Sequence, residues 1–311
     1  MDRLSGSMRQ FVRELRNRIP PLTTRHKGEM GRIAVVGGSK EYTGAPYFAG
    51  ISALHCGADL VHVICAEAAA PVIKSYSPDL IVHPDLDNNF SESRKWIEKA
   101  HSAVFGPGLG RGENWENTAK LIKHCCSANK PVVIDADGLA LITEKPDLIK
   151  DRKMVILTPN VVEFSRLYSV LFGCNPPEKD TDTQQLAQRL GNVTVVLKGE
   201  HDTISDGSTT VICDLEGSPR RCGGQGDMLS GTAATFFHWF HQFSPPQTPN
   251  MLPTPVAAGL AACMLTRQCS QQAFAKHGRS MVTAQMIEQL HPAFEELFES
   301  PLLGDCSPHS P

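Results

Sequence analysis

RIAVVGGSKEYTGAPYFAGISALHCGADLVHVICA, residues 32–66, decides the fold of this chain. It opens on an apolar run, RIAVVGG (32–38), continues through a helical segment, GAPYFAGISALHCGA (44–58), and closes on a second apolar run, DLVHVICA (59–66). Short runs nearly continuous in Val, Ile and Leu suit strands buried on both faces, as in a parallel sheet. A strand, a helix and a strand in succession make a βαβ unit.

The pattern repeats outward. DLIVHP (79–84), SAVFGPG (102–108), PVVIDADG (131–138), MVILTPN (154–160) and VTVVLKG (193–199) are further runs of the same kind. Helical patterns such as ENWENTAKLIKHCC (113–126) and NVVEFSRLYSVLF (160–172) lie between them. This alternation predicts an α/β fold: a three-layer αβα sandwich with a mostly parallel central sheet. DTISDGSTTVICD (202–214) changes style, with two short β runs joined by Asp206-Gly207, a hairpin signal. Beyond it the chain reads as helical over 226–243, 254–270 and 280–299, and the prolines of 245–255 mark a loop between helices. With no internal repeat and no long linker, we expect one domain over residues 10–300, an N-terminal tail over 1–9 and a flexible C-terminal tail over 301–311.

The 311 residues, 41% hydrophobic and 20% charged, are ample for a large core. The net charge of -3 argues against nucleic acid as a partner. No apolar run approaches the roughly 20 residues of a membrane span. Ten cysteines, none in a C-x-x-C pair and with Cys125 and Cys126 adjacent, argue for reduced thiols and against a disulfide framework or a zinc site. The first 22 residues carry five arginines, with Leu4, Met8, Phe11 and Leu15 at helical spacing and no apolar core of a secretory signal. They read as a first helix packed on the domain and ended by Pro20 and Pro21, in a cytoplasmic protein. A mitochondrial presequence is the alternative, opposed by Asp2 and Glu14.

Ligands of such sheets bind beyond the carboxyl ends of the strands. There this chain places Gly37-Gly38-Ser39, Gly106-Pro107-Gly108-Leu109-Gly110, Asp135-Ala136-Asp137-Gly138, Pro159-Asn160 and Gly199-Glu200-His201-Asp202. GGSKEYTG (37–44) is neither a Rossmann nor a P-loop motif, and a plain glycine turn explains it as well as phosphate contact does. GPGLG (106–110) has more glycine than a turn needs and would let backbone approach a ligand. Asn160 and Glu163, three apart at a helix start, read either as a capping box or as a magnesium site in which Glu163 acts through water. Lys198, ending a strand, either snorkels to water or meets a nucleotide.

The sharpest stretch is CGGQGD (222–227). Successive backbone N–H groups of a glycine loop at a helix N-terminus form an anion hole. Asp227 follows within the first turn. An acid there also favours the helix dipole, but capping does not need the glycines Gly223, Gly224 and Gly226. The functional reading makes Asp227 the base that takes a hydroxyl proton as that hydroxyl attacks the γ-phosphate of ATP. His55, His62 and His83 sit in apolar patterns and read as core or edge residues, and His238 and His241 lack a third metal ligand. Cys222 borders the anion hole, a setting that can activate a thiol.

These pieces resemble the ribokinase-like superfamily, in which N-x-x-E serves magnesium and a terminal G-x-G-D carries the anion hole and catalytic Asp. Within it the chain is most similar to the ATP-dependent (S)-NAD(P)H-hydrate dehydratases, through GRIAVVGGSKEYTGAPYFAG, FGPGLGR, VVIDADGL, TPNVVEFSRL, VVLKG and GGQGDMLSG, which lie within residues 28–235. The resemblance implies a repair reaction: the hydroxyl of hydrated NADH or NADPH (NADHX, NADPHX) is phosphorylated by ATP, and phosphate leaves to restore the reduced cofactor. It implies Mg2+, with ATP as co-substrate. It implies hydrate contacts from Gly108, Gly110, Asn160, Val161, Val162, Glu163, Phe164, Ser165 and Arg166, with Asp227. It implies ATP contacts from Lys198, Gly199, Glu200, His201 and Asp202, and from Gly217, Ser218, Pro219, Arg220, Arg221, Cys222, Gly223, Gly224, Gln225 and Gly226.

Two departures stand out. Bacterial relatives often carry a fused epimerase, for which this chain has no room, so the epimerase is expected as a separate protein. TPNVVEF has Asn where relatives often have His, which fits the broader superfamily motif. A homo-oligomer is compatible with the resemblance. Two rival readings are a vitamin-precursor kinase of the same superfamily, which would yield a stable phosphate ester, and a non-catalytic nucleotide sensor, for which Asp227 would be dispensable.

Overall fold

The computed structural model describes residues 5–22, 26–112, 114–177, 181–244 and 251–300. The C-terminal tail and residues 245–250 of the proline-rich loop lie outside them. The chain runs through α1 (Gly6–Arg16), β1 (Arg32–Val36), α2 (Gly44–Cys56), β2 (Leu60–Ile64), α3 (Ala70–Tyr76), β3 (Leu80–His83), α4 (Phe90–Lys99), β4 (Ser102–Phe105), α5 (Trp115–Ser127), β5 (Val132–Ile134) and α6 (Asp137–Glu144). It continues with β6 (Val155–Leu157), α7 (Val161–Phe172), α8 (Asp182–Arg189), β7 (Thr194–Leu197), β8 (Asp202–Ser205), β9 (Thr210–Cys213), α9 (Gln225–Gln242), α10 (Thr254–His277), α11 (Thr283–Ile287) and α12 (Leu290–Phe294).

The nine strands form one sheet in the order β3-β2-β1-β4-β5-β6-β7-β8-β9. Pairing is parallel from β3 to β7, with Ile33 beside Val61 and Val35 beside Val104, and antiparallel where β8 and β9 form the expected hairpin. Because side chains alternate across a strand, each apolar run feeds two cores. Ile33 and Val35 of β1 join a core with α1, α2, α9, α10 and α12. Ala34 and Val36 join a core with α4, α5, α6, α7 and α8. This is the three-layer sandwich.

α1 begins at Gly6, inside the stretch expected as tail, where the Ser5 hydroxyl accepts from the Met8 amide at 3.2 Å. It buries Met8, Val12 and Leu15. Arg16 donates to the Leu297 carbonyl, and Arg18 to Glu14 and to the Leu252 carbonyl, so the arginine-rich segment is bolted to the C-terminal helices. The single helix read over 280–299 is instead α11, α12 and a π-turn over Glu295–Glu299. No helix of the described residues is long and apolar enough to cross a membrane.

Candidate active site

α9 is apolar almost all round and is buried from Met228 to Phe240. Such a helix is placed by the core, so its N-terminus is rigidly aimed. It passes so close to α2 that a Cβ on Gly231 would stand 2.0 Å from the Ala49 carbonyl oxygen. Its N-cap, Gly224, has φ 94°, a left-handed conformation that favours glycine, and no side chain caps the helix. A helix leaves its first N–H groups without intrahelical partners. Here those of Gln225, Gly226 and Asp227 open on a cavity of about 710 Å³.

The cavity floor is a charge cluster at the carboxyl ends of β5, β6 and β7. Asp135, 2% exposed, accepts from the Lys198 ammonium at 2.9 Å and from the Thr158 hydroxyl at 2.8 Å. This pair lies directly beneath the glycine loop: a Cβ on Gly226 would stand 3.2 Å from Lys198 Nζ and 3.6 Å from Asp135 Oδ2. Burial works to lower the Lys198 pKa, but Asp135, Glu163 and Asp227 together hold it above its ordinary value. The Asp227 carboxyl is pushed up to about 8, first by burial and then by the Asp135 charge, with Lys198 opposing. Glu163 is also raised, chiefly by burial.

At the start of α7 the capping box is real. Asn160 Oδ1 accepts from the Val162 and Glu163 amides, each at 2.9 Å, and Glu163 Oε2 accepts from the Asn160 amide at 2.8 Å. Both residues nevertheless line the cavity beside Asp227, so capping and a role in the site coexist. Val161 and Val162, 60% and 57% exposed, add an apolar wall.

Opposite α7, the loop after β7 is latched. Asp202 accepts from the Gly199 amide at 3.1 Å and from Arg267 Nε at 2.6 Å, while Arg267 and Arg221 both donate to the Gly199 carbonyl. Gly199, Asp202, Arg221, Cys222 and Gln225 line the cavity. The Gln225 side chain amide donates to the Arg220 carbonyl at 3.1 Å, and Thr283 donates to the Gly223 carbonyl at 2.6 Å, which fixes the loop from below.

Other expected site residues fall outside this cavity. Phe164 is in the core, the Ser165 hydroxyl donates to the Val161 carbonyl, and Arg166 lines a second cavity of about 330 Å³ with Arg111, Asp137 and Glu163. Glu200, His201, Pro219 and Gly223 are exposed. Gly217 and Ser218 pack against Ser270, whose hydroxyl accepts from the Ser218 amide. Gly108 and Gly110 line neither cavity. A Cβ on Gly108 (φ 61°) would stand 2.5 Å from the Tyr42 carbonyl oxygen, whereas one on Gly110 (φ 76°) would meet the Ser39 side chain at 3.2 Å, and the Gly110 amide donates to Asp137. His62 and His83 are buried against each other and His238 against His101, and none is part of the site. No group of three His, Cys, Asp or Glu able to hold a metal exists among the described residues.

Six cavity residues escaped the sequence reading as site residues: Asp135, Ala136, Leu229, Thr266, Arg267 and Ser270. Asp135 stood on the right strand end, but only the fold shows it paired with Lys198. Arg267 was visible only as a charge at the end of VAAGLAACMLTRQ (256–268), an otherwise apolar run.

Comparison with known proteins gives the family and the fold. The sequence model of NAD(P)H-hydrate dehydratase matches residues 33–292. An ATP-dependent (S)-NAD(P)H-hydrate dehydratase of Homo sapiens is 53% identical over 301 residues, covering 94% of this chain and 86% of its own. Among solved structures, an ADP/ATP-dependent NAD(P)H-hydrate dehydratase from Bacillus subtilis, co-crystallised with ATP/Mg2+, superposes with a TM-score of 0.70 at 21% identity, over 92% of this chain and 97% of that one. A ribokinase-like superfamily protein from Enterococcus faecalis gives 0.72 at 21% identity, over 92% and 95%. Together the matches show that the fold is ribokinase-like and that the chain belongs to the NAD(P)H-hydrate dehydratase family.

Proposed function

We propose that this chain carries out the ATP-dependent dehydration of the S-epimer of hydrated NADH and NADPH, with Asp227 as the base. The observation that carries the reading is the convergence of the uncapped N-terminus of α9, Asp227 and the Asp135–Lys198 pair in one cavity. The hydrate hydroxyl gives its proton to Asp227 as its oxygen attacks the γ-phosphorus, and the bond to the β-phosphate oxygen breaks to release ADP. The N–H groups of residues 225–227 and the Lys198 ammonium stabilise charge on the transferring group. Phosphate then leaves as the ring nitrogen pushes electrons. The neighbouring ring carbon loses a proton to water and the double bond returns. Phosphate leaves readily, so no further acid is required.

Magnesium fits the residues present. One Glu163 oxygen is held by the cap, and a magnesium ion on ATP keeps several waters, so a single carboxylate acting through water suffices. Bound there, the ion neutralises phosphate charge. A separate epimerase would supply the S-epimer. We place the chain in the cytoplasm, with α1 part of the packed domain, which a reporter fusion to the N-terminal segment tests.

The test is spectrophotometric. Hydrated NADH, ATP and magnesium are mixed with the protein and the reduced-nicotinamide absorbance is followed. We expect an ATP-dependent rise that Asp227→Asn slows at least ~10²-fold. ADP formed with another hydroxyl compound, without that rise, moves the chain to the kinases; neither product leaves a nucleotide-binding module.

A further inference from the structure

α10 is buried along nearly its whole length, so each polar side chain within it calls for an account. Thr266, Arg267 and Ser270 share one turn, and all three line the 710 Å³ cavity. Arg267 is committed to Asp202 and to the Leu215 and Gly199 carbonyls. Ser270 accepts from the Ser218 amide and donates to the Arg267 carbonyl. Thr266 is different: its hydroxyl is buried and has no hydrogen-bond partner. Helical hydroxyls elsewhere in this chain donate to the carbonyl one turn earlier, as Thr118 does to Asn114, Thr143 to Leu139 and Thr232 to Met228. Among the described residues, Thr266 is the one that both lines the cavity and carries an orphaned buried side-chain oxygen. Leaving such a group unsatisfied is unfavourable, and a ligand atom offsets the loss.

Topology says which ligand atom. The cavity runs along the strand ends from Asp135 after β5, past Asn160 after β6 and Lys198 after β7, to Asp202 of β8. The transferring phosphate belongs at the Asp227 end, over Asp135 and Lys198. The turn of α10 is tied by Arg267 to Asp202, at the other end. With the terminal phosphate on the glycine loop, the part of ATP that reaches α10 is the nucleoside. A neutral hydroxyl that can both donate and accept suits a ribose hydroxyl or a purine-ring nitrogen.

We propose that Thr266 is a nucleotide-binding residue whose hydroxyl bonds the nucleoside half of ATP, at the end of the cavity away from Asp227. The assignment rests on the reading of this cavity as an ATP site. The test is calorimetric titration of ATP, with no hydrate present, into the native chain, Thr266→Val and Thr266→Ser. We expect Thr266→Val to raise Kd roughly 3- to 10-fold, the loss of one neutral hydrogen bond, and Thr266→Ser to restore it. Without nucleotide, Thr266→Val should melt no lower than the native chain, because it removes an unsatisfied group; a purely structural hydroxyl would give the reverse. Titration of 2′-deoxy and 3′-deoxy ATP divides the supporting outcomes: a penalty that persists with both places the bond on the base, and one that vanishes with either places it on that hydroxyl. An unchanged ATP Kd in Thr266→Val overturns the proposal. A native chain that binds no ATP overturns it together with the ATP reading, whereas ATP binding without nicotinamide product overturns the dehydratase reading alone and leaves the Kd comparison standing.

Discussion

A general base works best when its pKa lies near the operating pH, and Asp227, held at about 8 by burial and the Asp135 charge, meets that condition. In the proposed role Asp227 must be unprotonated, so kcat/KM for the hydrate should fall as pH drops below about 8. Asp135→Asn removes the repulsion while Lys198 remains, so the limb should move to lower pH. A limb that stays in place would show that Asp135 does not tune the base. The same shift has a stability sign. A carboxyl whose folded pKa is raised favours folding when protonated, and that contribution is lost as pH rises from the unfolded value of roughly 4 through 8. The Asp227→Asn protein, free of ligand, should therefore melt higher than the native chain at pH 8 while being inactive, and a lower melting temperature would contradict the electrostatic account. Asp227 was legible from its place behind three glycines. Its pKa was not, because Asp135 lies 92 positions earlier in the chain and reaches it only through the sheet.

At the scale of elements, the start of α7 carries two roles that substitutions can separate. Asn160→Ala removes the acceptor of two amide bonds and should cost about 1 kcal/mol in urea unfolding. Glu163→Gln can still reach back to the Asn160 amide, as glutamine does in capping boxes, so stability should be kept. If Glu163 serves only as a cap, turnover is kept as well; if it also serves magnesium through water, turnover falls and the magnesium dependence weakens. The α2–α9 contact makes a different demand. Gly231→Ala forces a methyl toward the Ala49 carbonyl and should destabilise by 1–3 kcal/mol or more, on the order of an overpacked core. The strand ends that hold the site were readable as elements from their apolar runs. The break of 280–299 into α11 and α12 was not, since their apolar residues serve contacts with α10 and α2 rather than one helical face.

At the scale of the whole molecule, acid stability rests on imidazoles rather than on the site. His62 and His83 hydrogen-bond at 3.0 Å and stack with Trp96 between β2, β3 and α4. His101 stacks on His238 of α9. Burial lowers all four, His83 and His238 to about 4. A lowered folded pKa gives stability that is fully present above the unfolded value of roughly 6.5 and is lost as pH falls toward 4. The urea midpoint should therefore decline between pH 6.5 and 4, by on the order of a few kcal/mol in all. A midpoint that holds steady between pH 7 and 5 would mean that these rings are protonated in the native state without cost.

The sequence by itself determined the layer order and the sheet edge on which the cavity opens. Runs of Val, Ile and Leu alternating with helices permit little else, and turn glycines and polar residues collect where such strands end. It also determined that the glycine loop and Asp227 meet at the start of α9, because that placement is local: one turn of backbone and the acid beside it. Only the tertiary structure decided which distant groups complete the site. Asp135 beside Lys198 and Arg267 on Asp202 join residues separated by 63 and 65 positions through strand order, and the burial of α10 brings Thr266, with its orphaned hydroxyl, to the same cavity. It also showed that Gly106 and Gly108 of GPGLG face backbone of Asp135 and Tyr42, because close approach between two loops is invisible until both are folded.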